Sequence, residues 1–263
     1  MINRPIDAMA ELQNAFQALF KNWILAVPTG VATLVATAFF LFVVIATLGS
    51  LVGAGVVGGM SPKAAMALAG AGGLTFIVGG VVIFILYLLA CAAVMAAAED
   101  VWRGQAADLA SGISTAFRKL GPLLVLFLIS IVVGVICIVL VLALGLGIIL
   151  AILLSFFWMY ALPAIVIGNQ GALQALGTSY HLVRQNLAPS LTAFLGIAVV
   201  TFIGEFVTRL FHGVPALAVI IAFAVGGLTY AYSALVAVRF YDLLRGAVAS
   251  AIPATSPRTG PTV

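Results

Sequence analysis

An all-α integral membrane protein is the fold class this sequence predicts: six transmembrane helices, arranged as three parallel repeats of an interfacial amphipathic helix followed by a transmembrane hairpin. Three observations predict it. The residues AVILMFWYC fill 65% of the 263 positions, while Asp, Glu, Lys and Arg fill only 7%, against about 25% in a soluble domain. Six apolar runs are each long enough to cross a hydrocarbon core, which takes about 20 residues. One pattern of apolar positions recurs before the first, third and fifth runs. So few charges cannot cover a water-soluble surface, which argues against a cytosolic enzyme, a disordered chain and a nucleic-acid binder.

The expected spans are about 24–48, 74–98, 121–144, 147–168, 189–212 and 214–240. Leu144-Gly145-Leu146-Gly147 leaves room only for a tight glycine-permitted turn between the third and fourth. Gly213 and Pro215 punctuate the fifth and sixth. The first apolar run begins near Trp23 and is far longer than a signal-peptide core, so it is expected to act as an uncleaved anchor. Cys91 and Cys137 lie inside apolar runs and are expected as packing residues.

Charge orients the spans. Arg4, Lys21, Arg103, Arg118, Lys119, Arg184, Arg239, Arg245 and Arg258 fall on one side, and only Lys63 and Arg209 on the other. Lys and Arg collect on the cytoplasmic side. Both termini are therefore expected in the cytoplasm of a prokaryotic cell, with the chain in its cytoplasmic membrane.

The recurring pattern runs Met9, Leu12, Phe16, Leu19, Phe20 and Trp23 before the first span, then Ala106, Leu109, Ile113, Ala116, Phe117 and Leu120, each 97 positions later. Leu173, Leu176, Tyr180, Val183 and Leu187 follow at a further offset of 67. At helical spacing each set forms a narrow stripe. Glu11 and Asp108 lie near the helix starts, and Lys21, Arg118, Lys119 and Arg184 near the ends, the polarity a helix dipole favours. Such segments are too short and polar to span and belong at the cytoplasmic interface. Pro122 and Pro189 follow at matching offsets, where a flat helix turns into the bilayer. Every unit starts on the same side, so the repeats are parallel.

A single membrane domain over 1–263 is expected, with units of about 1–103, 104–168 and 169–245 and a flexible tail over 246–263. The first unit is longer because of Gly49 to Gly73, read as an outer loop in which Ser61-Pro62 starts a short helix ending near Gly70.

Pro163-Ala164-Ile165-Val166, Gly171-Ala172-Leu173-Gln174-Ala175-Leu176 with Ser179, Leu182 and Asn186, and the ending Arg239-Phe240-Tyr241-Asp242-Leu243-Leu244-Arg245 resemble bacterial and archaeal six-span proteins. Those are grouped with the membrane domain of glycerophosphoryl diester phosphodiesterases. The resemblance covers about the last 100 residues and implies an accessory bilayer module. The phosphodiesterase activity of the eponymous members sits in a separate soluble barrel, for which this chain has no room.

No motif points to catalysis, and no cofactor or metal is expected. Gly53-Ala54-Gly55-Val56-Val57-Gly58 matches G-x-G-x-x-G without the strand–turn–helix setting that a dinucleotide site needs. Gly55 and Gly59 have the spacing that seats one helix against another, if that stretch is helical. His181 and His212 fall on opposite sides of the membrane. Ser179, in Gly177-Thr178-Ser179-Tyr180-His181, lacks a nucleophile elbow and reads as a packing or backbone-capping residue.

Two constellations stand out. Glu205, Arg209 and His212 share one helix face near the outer end of the fifth span, either as a neutralised ion pair or as an entry site for a polar substrate or lipid head group. Lys21, Arg118, Lys119, Arg184, Arg239 and Arg245 form either a ring contacting anionic lipid head groups or the ordinary inward bias of positive charge. Arg239 and Asp242, one turn apart, are expected to pair locally at the end of the last helix.

The functional expectation is a non-catalytic, bilayer-organising or lipid-interacting accessory module. The alternatives are a small channel or lipid/solute transporter lined by Ser, Thr and Gly, and last an intramembrane enzyme. Expected partners are membrane lipids, anionic ones among them, and a second copy or a membrane complex; nucleic acid is not one.

Overall fold

The computed structural model describes residues 7–56, 62–211 and 213–251. Among them the chain is all-helical, with no strand, and six helices are long and apolar enough to span a membrane. The order is α1 (Ala8–Lys21), a 3₁₀ turn (Trp23–Leu25), α2 (Ala26–Val56), α3 (Pro62–Trp102), α4 (Leu109–Arg118), α5 (Leu120–Leu144), α6 (Gly147–Trp158), α7 (Ala161–Val166), α8 (Ala172–Gln185), α9 (Leu187–Leu210) and α10 (Pro215–Ala251).

The short helices form for local reasons. Asp7 caps α1 by accepting from the Ala10 N–H (3.1 Å), and Asp108 caps α4 by accepting from Ala110 and Ser111. Asn22 and Asn186 close α1 and α8, each side-chain amide donating to the carbonyl four residues back. Each short helix then passes into a long apolar one with almost no linker. Gly145 turns α5 into α6 with φ +68°, a conformation that side chains resist.

α10 is the central element, packed against α2, α9, α3 and α1. Lipid tails are as apolar as leucine, so helices in a bilayer are held by close approach rather than by expulsion of water. The core is accordingly built from small residues: Ala92, Ala93, Ala97 and Ala98 of α3, Ala161 and Ala164 of α7, and Ala231, Ala234 and Ala237 of α10 are all buried. This dense core lies at the end of the bundle where α1, α4 and α8 pack. Toward the other end the helices present lipid-sized apolar side chains outward, among them Leu41, Phe42, Leu128, Ile138, Leu142, Ile149 and Phe202.

Four expectations change. Most of the predicted outer loop is helix, since α2 runs to Val56 and α3 starts at Pro62 and continues unbroken to Trp102. Glycine between apolar neighbours is tolerated in membrane helices, and Pro62 at a helix start loses no backbone bond. No separate short helix ends near Gly70; Ser61 and Gly59 lie outside the described residues, as does part of the G-x-G-x-x-G match. The tail expected from 246 is helical to Ala251, and 252–263 lie outside the described residues.

The fourth change is a break in the fourth span, which divides into α6 and α7 at Met159–Tyr160. Pro163 has no N–H to give the Met159 carbonyl, and its ring crowds that group. The buried Ser179 hydroxyl of α8 repairs the break, donating to the Phe157 carbonyl (2.7 Å) and accepting from the Tyr160 N–H (3.1 Å). Ser179 is thus a backbone-capping residue. Ser179→Ala is expected to cost about 2–3 kcal/mol by orphaning both groups. A thiol-reactive dye that reaches Cys91 and Cys137, both buried, only on unfolding measures the loss; an unchanged melt contradicts this role.

Candidate functional site

The polar features occupy the two ends of the bundle. At the dense end, Arg239 of α10 donates from Nε to Glu11 Oε2 of α1 (2.8 Å) and from Nη2 to Oε1 (3.3 Å). Its guanidinium lies 4.8 Å from the Trp102 ring centroid, a cation–π arrangement. The Trp102 indole N–H in turn donates to the Leu235 carbonyl at 2.9 Å. Three helices distant in sequence are thereby tied at one knot. The expected local pair of Arg239 with Asp242 is corrected: the guanidinium is held across 228 positions of sequence, and α10 continues past both residues. The Asp242 carboxylate instead sits among Arg103, Arg245 and Arg239.

The other members of the basic set are placed differently. Lys119 Nζ donates to Asn169 Oδ1, a residue held at φ 54° in the turn between α7 and α8. Arg118 donates to Thr115 Oγ1 at 3.1 Å. Lys21, Arg118, Arg184 and Arg245 are exposed around that end, whereas Arg239 is half-buried in the knot.

Toward the far end, Glu205 and Arg209 occupy the last turns of α9, and His212 lies outside the described residues. Glu205 lies 18 residues beyond the start of α9 at Leu187, about 27 Å along the helix axis. It borders two concavities. One is a groove of about 510 Å³ along α9, with a floor of Phe194, Ile197, Ala198, Phe202 and Phe206, and with Glu205 and Arg209 at its far end. The other is a cavity of about 340 Å³ among α2, α3, α9 and α10. Thr201 and Glu205 are common to both linings.

The cavity is the polar place inside the bundle that sequence reading left unassembled. Thr33, Tyr87, Thr201, Thr208, Thr229, Tyr230 and Ser233 bring seven hydroxyls to it. The sequence offers these Thr and Ser residues only as members of a class, Ser, Thr and Gly scattered through the spans, and does not point to Tyr87 or Tyr230. The available signal was spacing: Thr201, Glu205 and Thr208 recur at i, i+4 and i+7, and Thr229 and Ser233 at i and i+4. Among the described residues no three His, Cys, Asp or Glu side chains gather as a metal site would require.

Residues 103–252 match the model of a family described as a domain of unknown function (DUF7847). No curated protein and no solved structure matches the chain.

Proposed function

We propose that this chain, which belongs to the DUF7847 family, is a non-catalytic lipid-binding module of the prokaryotic cytoplasmic membrane, with both termini in the cytoplasm. Its architecture in this reading is three parallel units, each an interfacial helix and a hairpin. The register of the short helices supports the repeat. Their caps Asn22, Lys119 and Asn186 are separated by the same 97 and 67 positions as the apolar stripes. Their inward positions follow suit: Ala15, Gly112 and Ser179 are equivalent and all buried, as are Leu19, Ala116 and Val183.

Other positions of each stripe face outward. Phe16, Ile113 and Tyr180 are 39%, 46% and 43% exposed, which suits helices that embed one apolar flank in the bilayer surface. The exposed Lys21, Arg118, Arg184 and Arg245 are then within reach of anionic head groups on that side. The resemblance to the membrane domain of glycerophosphoryl diester phosphodiesterases, which implies an accessory bilayer module, fits this reading.

The observation that carries the functional part is the groove on α9. It is aromatic and aliphatic along its length and charged at its far end, the layout of an amphiphile with its chain along the helix and its head at the interface. A volume of about 510 Å³ lies within the range of small-molecule sites. Native mass spectrometry of the purified protein tests it. Lipid adducts are expected to persist in wild type and to fall several-fold in Phe202→Ser/Phe206→Ser; adduct levels unchanged by those substitutions would exclude the groove.

A second reading, a solute pathway, is favoured by the hydroxyl-lined cavity alone. Vesicles reconstituted with the protein and loaded with small solutes decide it, since a pathway requires flux above that of empty vesicles.

A further inference from the structure

The cavity beside the groove offers acceptors and negative charge. Thr33, Thr208 and Ser233 each donate their hydroxyl proton within their own helix, to the carbonyls of Thr29 (2.8 Å), Gly204 (3.0 Å) and Thr229 (2.8 Å). Each oxygen is left with only lone pairs to give a guest. The carboxylate form of Glu205 would likewise be acceptor-only. Tyr87 and Tyr230 add two ring walls, their centroids 6.4 Å apart and edge to face. Among the described residues lining the cavity there is no Lys, Arg or His.

A guest matched to such a lining is a cation rich in donors. An anion would meet the Glu205 carboxylate and the three hydroxyl oxygens whose protons are already committed. A quaternary ammonium has no N–H to use them, and two rings are a thin cage for it. A primary ammonium carries one positive charge and three donors and no acceptor, the complement of this wall. Position points to the source: the cavity shares Thr201 and Glu205 with the α9 groove, so a head group in the cavity and chains in the groove would belong to one molecule. The space, about 340 Å³, equals roughly eleven water volumes, enough for a small amine head group.

We infer that the cavity receives the primary ammonium of an aminophospholipid whose chains lie along the α9 groove, with Glu205 as its counter-charge. The inference rests on the lipid-binding reading and assigns that site its head-group class.

The test is native mass spectrometry after exchange against an equimolar mixture of phosphatidylethanolamine, phosphatidylcholine and phosphatidylglycerol with identical chains. Wild type is expected to retain phosphatidylethanolamine about tenfold over phosphatidylcholine, the worth of a charge-assisted hydrogen bond. Glu205→Gln, which keeps the shape and removes the charge, is expected to bring that ratio close to one. Ser233→Ala, which removes a single acceptor, is expected to lower it by a smaller factor, and stands in if the first variant melts early in the dye assay. Equal retention of all three lipids by wild type, enrichment of phosphatidylglycerol, or an ethanolamine preference that survives both substitutions overturns the inference while lipid binding stands. Absence of any lipid adduct overturns the lipid-binding reading itself. Ethylammonium chloride, which carries the amine without chains, is the free-cation probe: retention equal to that of the lipid would assign the cavity to a soluble amine and overturn the lipid source.

Discussion

Replacing Gly227 by leucine is expected to leave little folded protein, and even alanine there is expected to cost about 1–3 kcal/mol. A Cβ at Gly227 would lie 2.4 Å from the Ala26 carbonyl oxygen and 3.3 Å from the Gly30 Cα. These are backbone atoms, so no rotamer change relieves the clash and α2 must move away from α10. Among the described residues that crossing is the most extensive helix contact, and it places Thr33 opposite Gly226 on the wall of the cavity. Gly121 is the control, with open space around the position of its Cβ; alanine there is expected to be neutral or stabilising by up to about 1 kcal/mol. Dye-monitored melts of both variants separate the two. Equal stability of Gly227→Ala and wild type would show that α2 and α10 do not approach this closely.

Arg239→Met is expected to destabilise by about 2–3 kcal/mol. It leaves Glu11 without its partner and removes the cation from the face of Trp102, at a site where the Arg239 and Glu11 side chains are 30% and 17% exposed. A double-mutant cycle isolates the pair. Glu11→Gln combined with Arg239→Met is expected to show a coupling of about 1–2 kcal/mol, and Asp242→Asn with Arg239→Met much less. The opposite ranking would restore the local pair and dissolve the knot between α1, α3 and α10.

The spans were legible because hydropathy alone sets them: a bilayer enforces long apolar helices whatever their neighbours. The amphipathic helices were legible too, since Glu11 and Asp108 mark two of the starts and the stripes announce their length. Only one or two positions of each stripe are buried, however. A helix at an interface has two apolar destinations, protein and lipid, and periodicity does not distinguish Leu12, which is buried, from Phe16, which is partly exposed. The break before Pro163 was missed because hydropathy runs on through it, although the proline was there to signal it; its repair by Ser179 was hidden because the two residues meet only after the chain turns at Gly168 and Asn169.

The same limit explains the site. Glu205 and Arg209 could be found from one helix, since an ionisable group in a span is conspicuous by itself. The cavity beside Glu205 is made by four helices, and its hydroxyls look in the sequence like ordinary back-bonded Ser and Thr. Glu11 and Arg239 fail the local pairing rule for the same reason: Arg239 has Asp242 one turn away, yet folding brings α1 closer to its guanidinium.

Thiol accessibility in sealed, right-side-out membranes tests the threefold architecture most directly. On a background lacking Cys91 and Cys137, single cysteines at Lys21, Arg118 and Arg184 are expected to react with a membrane-impermeant maleimide only after the membrane is opened. Cysteines at Leu146 and Gly213 are expected to react from outside in intact cells. Labelling of one or two of the first three from outside, with the rest protected, would contradict three like-oriented units, and labelling of all three would reverse the side proposed for the termini.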